Sequence, residues 1–206
     1  VEMKDYLGFR ENISLDGARR SLEVAFSHPI KLIANALGIP PNLMIKMGKK
    51  NGVLVAALVG TKEHAIKQVE ADVDILIASG GEAGGHCGDI ATMVLVPEVV
   101  RAVRKISDIP VLAAGGIVTG EQMAAAMAMG AAGAWCGSVW LTSPEAETNQ
   151  VVKETMLKAS SRDTVRAKSR TGKPSRQLKS PWTEAWENNK KIDPLPMPLQ
   201  SLVAEP

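Results

Sequence analysis

Short, continuously apolar segments alternate with helix-like segments along this chain. The apolar segments are residues 31–37 (KLIANAL), 52–59 (GVLVAALV), 74–78 (DILIA), 109–114 (IPVLAA) and 134–141 (AWCGSVWL). Their hydrophobicity is continuous rather than alternating, which is typical of parallel strands covered on both faces. We therefore predict five parallel β-strands.

The connecting segments contain signals for helices. Thr61 is placed to cap a helix that runs to about residue 71, and Thr119 and Gln122 have the spacing of a capping box. Further helices are predicted over residues 42–50, from Pro97 to residue 105, and from Ser143 onward, with proline in the first turn of the last two. Repeated strand–helix units predict an α/β protein, and both a doubly wound sheet and a (β/α)8 TIM barrel fit this pattern.

Five strands are too few to close an eight-stranded barrel. If the fold is a barrel, it is therefore incomplete, with about five of eight βα units and the missing strands before residue 31. We assign residues 1–145 to the C-terminal βα units of such a barrel. Residues 146–206 are predicted to form a helical, basic and proline-rich C-terminal extension.

The composition narrows the class of protein. Hydrophobic residues at 45% and charged residues at 22% are typical of a globular chain and exclude disorder for its body. Aromatic residues are only 3%, which disfavours a stacking surface for single-stranded nucleic acid. Residues 151–180 carry nine Lys or Arg against Glu154 and Asp163. This basic stretch is either a solvated face, a contact for phosphates on a ligand, or a nucleic-acid surface; we expect no nucleic-acid partner.

Compartment and membrane signals are weak. Charged residues interrupt the first twenty positions, so no secretory signal is predicted. The uncharged run 122–144 is rich in Ala and broken by Gly, and we interpret it as helix, turn and strand rather than a membrane span. Cys87 and Cys136 alone make no disulfide framework. We expect a cytoplasmic protein.

A glycine-rich loop follows the third predicted strand. Residues 79–89 (SGGEAGGHCGD) contain five glycines and His86. Ligands of parallel α/β proteins bind at the carboxyl ends of the strands, and glycines let the backbone approach them closely. His86 is therefore a candidate general acid or base, with a purely structural histidine as the alternative. A thiol nucleophile at Cys87 and a metal site in this loop lack supporting motifs, and we predict neither.

Two further glycine-bearing segments lie at later strand ends. Gly115 and Gly116 follow the fourth strand, where their N–H groups could receive phosphate oxygens. Gly137 and Ser138 lie in the fifth apolar segment, where the hydroxyl could donate to the same phosphate. An ordinary turn and a strand bulge are the alternatives. Glycines on two neighbouring late strands are how barrels commonly hold a phosphate.

Three segments together resemble the nitronate monooxygenase family. They are residues 80–88 (GGEAGGHCG), 113–117 (AAGGI) and 130–138 (GAAGAWCGS), and the resemblance extends over residues 31–176. It implies a TIM barrel that binds FMN noncovalently, with His86 as the catalytic histidine. The cofactor-binding positions that it implies are Gly80, Gly84, Gly85, Ala114, Gly115, Gly116, Gly137 and Ser138.

The resemblance implies a small-molecule substrate and leaves the reaction open. A nitronate monooxygenase would oxidise alkyl nitronates with dioxygen to a carbonyl compound and nitrite. The alternative is an NAD(P)H-dependent flavin reductase of enoyl-type acyl-CoA or acyl-carrier-protein thioesters, because these enzymes share the E-A-G-G-H loop. A third possibility is a binding fragment without turnover. An exposed sheet edge of an incomplete barrel would favour self-association, so a homodimer is also considered.

Overall fold

The computed structural model describes residues 14–189, 192–197 and 199–204. Its main sheet contains five parallel strands in the order β1-β2-β3-β5-β6. Those strands are β1 (Leu32–Asn35), β2 (Leu54–Val59), β3 (Ile75–Ser79), β5 (Val111–Ala114) and β6 (Gly133–Trp135). The α/β class and the five predicted parallel strands are confirmed, and the architecture is that of part of a (β/α)8 barrel.

Among the described residues, one helix precedes these strands, four connect them, and the helices cover one face of the sheet. They are α1 (Leu15–Phe26), α2 (Asn42–Asn51), α3 (Lys62–Glu70), α4 (Thr92–Val103) and α5 (Gly120–Ala128). The main core lies between helices and sheet, where Leu95, Val96 and Val99 of α4 are fully buried. A smaller apolar cluster around Ile77 lies on the opposite face. Apolar side chains on both faces explain why the strand sequences are continuously hydrophobic.

The predicted caps of two helices are confirmed. The Thr61 side chain accepts a hydrogen bond from the N–H of His64 at the start of α3. Thr119 and Gln122 form the reciprocal capping box of α5. The helix predicted over residues 42–50 is α2, which ends at Gly52 in the left-handed conformation that glycine adopts without strain.

The helix predicted from Pro97 begins earlier than expected. It is α4, which starts at Thr92 and contains Pro97 in its interior. The interior proline removes one helical N–H donor. The early start has a long-range cause, because the carboxylate of Glu82 accepts the N–H of Thr92. The prediction that Pro97 lies in the first turn of the helix is therefore wrong.

The fifth strand is shorter than predicted. β6 ends at Trp135, and residues Ser138–Thr142 form a 3₁₀ helix in which Trp140 is 63% exposed. The apolar run therefore predicted a strand beyond residue 135 where there is none. The helix predicted from Ser143 is also wrong: the next helix, α6 (Gln150–Lys158), begins after Asn149, whose side chain caps it.

The C-terminal extension contains strands as well as helices. A second, antiparallel sheet has the order β4-β8-β7, in which β4 (Gly85–His86) belongs to the glycine-rich loop. The other two strands, β7 (Thr164–Ala167) and β8 (Ser175–Leu178), lie in the region predicted as helical. Helices α7 (Pro181–Asn188) and α8 (Leu199–Ala204) follow. The domain boundary at residue 145 stays a prediction, and the first thirteen residues of the predicted barrel part lie outside the described residues.

The uncharged run at residues 122–144 divides among several elements. It comprises most of α5, then β6 and the 3₁₀ helix. Among the described residues, no helix combines the length and apolar character that crossing a membrane requires. The interpretation of this run as helix, turn and strand is confirmed up to residue 135.

Candidate functional site

Three glycine-bearing loops meet at the carboxyl edge of the parallel sheet. Register places Ser79 of β3 beside Ala114 of β5, and Ala114 beside Trp135 of β6. The N–H of Gly80 donates to the Ala114 carbonyl at 3.0 Å, which joins the first loop to the second. The loops predicted from sequence to share a site are therefore neighbours.

The first loop also touches the other two directly. The Ser138 hydroxyl lies so close to Gly84 that a Cβ atom there would overlap it. A Cβ atom at Gly116 would lie 3.1 Å from the Cβ of Glu82. These contacts bring Gly84, Gly116 and Ser138 together at one edge.

Backbone conformation explains the paired glycines after β5. Gly115 has φ +107° and Gly116 has φ +71°, which L side chains rarely adopt. A Cβ atom at Gly115 would lie 2.8 Å from Thr92 Oγ1 and 3.1 Å from the Ala83 nitrogen. Gly80 is likewise buried against the backbone of Thr92. Gly80 and Gly115 are thus needed for close packing, whereas Gly116 is exposed.

Donor groups at this edge are available to an anion. Within the part of the chain that the structure describes, no turn or loop hydrogen bond from the backbone N–H groups of Gly115, Gly116 and Gly137 to another backbone group is found. Gly137 and Ser138 are exposed, and a Cβ atom at Gly137 would meet open space. Converging N–H groups at loop ends bind phosphate. These residues therefore fit a phosphate group.

Glu82 fastens the glycine-rich loop to α4. Its Oε2 atom accepts hydrogen bonds from the N–H and the hydroxyl of Thr92, both at 2.8 Å. Partial burial raises the pKa of Glu82, but the two bonds from Thr92 outweigh it and hold that pKa below its usual value. The negative charge also suits a helix N-terminus, where Ala91 supplies no side-chain cap. The sequence does not reveal this role of Glu82, because the two partners are ten positions apart and follow no capping pattern.

His86 lies on β4, in the second sheet. It pairs with Ser175 of β8, and its exposed imidazole has Nε2 2.7 Å from the hydroxyl oxygen of Thr171. Gly85 precedes it with φ +76° and faces open space. His86 was predicted from its glycine-rich loop, whereas its contact with Thr171 was not, since 85 positions separate the two residues.

Two arginines of the extension clamp the loop at both ends. Arg176 donates from Nε to the carbonyl of Gly81 at 2.9 Å. Arg166 forms an ion pair with Asp89 at 2.6 Å and a long hydrogen bond to the Cys87 carbonyl. Part of the basic stretch therefore serves internal contacts rather than a solvated face or an external phosphate.

Both acidic side chains of the loop have partners. Glu82 and Asp89 are engaged by Thr92 and Arg166, and Cys87 and Cys136 are free thiols. Among the described residues, no group of three or more His, Cys, Asp or Glu is arranged to hold a metal ion. His86 stays the predicted catalytic residue of this loop.

The fold defines a class of parallel βα-barrel proteins, whose ligands bind at the strand ends, where the three glycine-bearing loops of this chain lie. A model of the nitronate monooxygenase family matches residues 5–206. The chain belongs to that family, a family of flavoprotein oxidoreductases, which confirms the resemblance drawn from the three glycine-bearing segments. It spans about half the length of the curated relatives it matches.

Individual relatives differ in what their names say. A candidate monooxygenase of Mycobacterium tuberculosis is 57% identical over 95% of this chain and 52% of its own length. A hydroxy-methyl-oxo-octahydroindene carboxyl-CoA dehydrogenase of Rhodococcus jostii is 34% identical over 88% of this chain and 50% of its own. The solved structure of a nitroalkane oxidase from Streptomyces ansochromogenes has a TM-score of 0.81 and 29% identity, covering 93% of this chain and 56% of that one.

Proposed function

We propose that the protein is an FMN-dependent oxidoreductase of the nitronate monooxygenase type. It would oxidise alkyl nitronates with dioxygen to a carbonyl compound and nitrite. The observation that carries the proposal is the position of Gly115, Gly116 and Gly137 beside the loop that holds His86, with N–H groups that make no turn or loop hydrogen bond to the backbone among the described residues. FMN ends in a single phosphate, which these donors fit.

The residues of the sheet edge would have two roles, binding of the cofactor and proton transfer. The N–H groups of Gly115, Gly116 and Gly137 and the Ser138 hydroxyl would hold the phosphate, with Ala114, Gly80, Gly84 and Gly85 shaping the backbone around the cofactor. Bound FMN supplies the electron-accepting ring. His86 would take the α-proton when a neutral nitroalkane is offered, and its exposure lets that proton pass to solvent.

A thioester reductase is the second candidate, favoured by the 34% identity to a carboxyl-CoA dehydrogenase. NAD(P)H would then be the reductant, and His86 would orient the thioester carbonyl or supply a proton. Arg166 and Arg176 are engaged with the loop, so the exposed Lys168 and Lys173 would meet the phosphates of coenzyme A.

Compartment and partners are proposed on narrower grounds. Two free thiols fit a reducing cytoplasm. The outer edges of β1 and β6 are unpaired among the described strands, and such edges favour association, so a homodimer is proposed. We propose a small-molecule substrate. We propose no nucleic-acid partner, since two arginines of the basic stretch contact the glycine-rich loop and are not available to a nucleic acid.

A visible spectrum of the purified protein tests the cofactor. Flavin bands are expected, with FMN identified by mass after heat release. Anaerobic mixing with a nitronate or with NAD(P)H then shows which substrate bleaches the flavin, and so separates the two candidate reactions. A colourless protein that does not take up added FMN would contradict the proposal.

Replacing His86 with Ala tests the proton-transfer role. Turnover of a neutral nitroalkane should fall by about 10²-fold or more, because a positioned base contributes at least that much. Flavin content should be unchanged, since His86 is not among the phosphate donors. His64→Ala, at an exposed position on α3, is the matched control. Unchanged turnover in His86→Ala would remove His86 from the mechanism.

A further inference from the structure

We propose that Thr171 is a positioning residue for His86. Its hydroxyl fixes the orientation of the imidazole and the nitrogen that carries the proton, leaving Nδ1 as the proton acceptor. The inference rests on the proposed function, in which His86 exchanges a proton with the substrate. Thr171 lies in the connection between β7 and β8, far from the glycine-rich loop in sequence.

The hydrogen bonds around Thr171 determine the tautomer. Besides His86 Nε2 at 2.7 Å, the hydroxyl oxygen lies 3.3 Å from both the nitrogen and the carbonyl oxygen of Lys173. A hydroxyl has one proton and two lone pairs. All three contacts are satisfied only if Nε2–H and the Lys173 N–H donate to Thr171 while Thr171 donates to the Lys173 carbonyl. The Nδ1 atom of a neutral imidazole is then unprotonated.

Strand pairing in the small sheet brings His86 close to the connection that carries Thr171. His86 of β4 pairs with Ser175 of β8, and the N–H of Cys87 donates to the Pro174 carbonyl at 3.4 Å. Threonine is β-branched, so few χ1 rotamers are open to its hydroxyl. The strand pairing therefore holds the two backbones close together, and the hydrogen bond between the side chains orients the imidazole.

The C-terminal segment supports the Thr171 loop from its other side. Gly172 has φ +80°, and it approaches the Leu195 carbonyl so closely that a Cβ atom would overlap it. Gln200, only 2% exposed, donates to the Ser169 carbonyl at 2.7 Å and accepts from the Leu195 N–H at 3.0 Å. A loop clamped in this way holds its hydroxyl in place.

Exposure is the reason such a partner matters. The imidazole of His86 is exposed, so without a partner it would rotate and exchange its proton between two nitrogens. A misplacement of about 1 Å can cost about 10²-fold in rate. The hydrogen bond to Thr171 keeps the proton on Nε2 and fixes the ring, so that the lone pair of Nδ1 points in one direction.

Nitrogen NMR of protein labelled with ¹⁵N-histidine tests the inference without any substrate. The chain has three histidines, and the exposed His28 and His64 serve as internal references. In the unaltered protein, His86 should show a protonated Nε2 and an unprotonated Nδ1. In Thr171→Val the two His86 signals should move to those of the references, whereas Thr171→Ser should keep the original pattern. His86 signals that match the references before mutation, or that do not move in Thr171→Val, would overturn the proposal.

Kinetics with two forms of one substrate supply the second readout. Thr171→Val should lower kcat for a neutral nitroalkane about tenfold to a hundredfold with little change in KM. The preformed nitronate needs no proton removal, so its oxidation should be unaffected. Equal losses with both forms would indicate general damage and overturn a positioning role. If neither form is turned over but the NMR results hold, the proposed reaction fails and the positioning stands.

Discussion

The carboxylate of Glu82 offers a quantitative test of how the glycine-rich loop is held. Replacing it with Ala removes two hydrogen bonds of 2.8 Å to Thr92, at a helix start where Ala91 supplies no cap. Losing a side-chain cap costs about 1 kcal/mol, and the bond to the hydroxyl adds at most a similar amount because Glu82 is exposed to water. We expect a loss of about 1–2 kcal/mol in the free energy of unfolding, or about 3–6 °C in Tm.

Urea unfolding of Glu82→Ala beside a matched control measures this loss. Glu23→Ala is the control, since Glu23 is an exposed carboxylate on α1 and its removal should change stability by less than about 0.5 kcal/mol. FMN affinity should also fall in Glu82→Ala, because Glu82 lies against Gly116. Equal unfolding free energies for the two variants would refute the assignment of Glu82 as the cap of α4.

Acid should remove the same stabilisation. The folded-state pKa of Glu82 lies below its ordinary value of about 4.3, because the hydrogen bonds from Thr92 favour the charged form. The stabilisation is therefore present above pH 4.3 or so and is lost as the pH falls through the folded-state pKa. The difference in unfolding free energy between the unaltered protein and Glu82→Gln should shrink over that window. A difference independent of pH would show that the charge of Glu82 does not matter.

Two further predictions concern neighbouring contacts. Gly137→Ala should leave the unfolding free energy unchanged, because the new methyl group enters open space, yet it should weaken FMN binding if the cofactor occupies that space. Gly115→Ala should lower the unfolding free energy by about 1–3 kcal/mol, because Gly115 has φ +107° and the new atom would lie 2.8 Å from Thr92 Oγ1. Urea unfolding and flavin titration of Gly137→Ala and Gly115→Ala test this difference, and equal destabilisation of the two variants would contradict it. Gln200→Leu should lose about 1–3 kcal/mol by leaving the Ser169 carbonyl without its donor, and an unchanged urea midpoint would contradict this.

The sequence predicted the parallel strands and the glycine-bearing loops because both are local signals. Continuous apolar runs follow from burial on both faces, and the Thr119 capping box spans only four residues. The apolar run failed after Trp135, since Trp140 and Leu141 are exposed and apolar composition alone does not establish burial. The glycine pair at Gly115 was predicted from its position, and its left-handed φ gives the physical reason.

What the sequence did not predict depends on contacts between distant positions. The partnership of Glu82 with Thr92 moved the start of α4 by five residues relative to the proline signal. The pairing of β4 with β8 needs the chain to return after some ninety residues, and no pattern within either segment records it. The hydroxyl of Thr171 reaches His86 only through that pairing.

Arginines of the basic extension order the glycine-rich loop. A loop with five glycines in residues 79–89 loses much conformational entropy when it is ordered, so a side chain that it holds in one position, such as His86, needs external support. Arg176 supplies that support at Gly81, and Arg166 supplies it at Asp89. A positive side chain suits this task because carbonyl oxygens and a carboxylate are the groups that the loop presents. Two of the nine Lys and Arg residues in positions 151–180 thus serve the internal order of the loop rather than an external ligand.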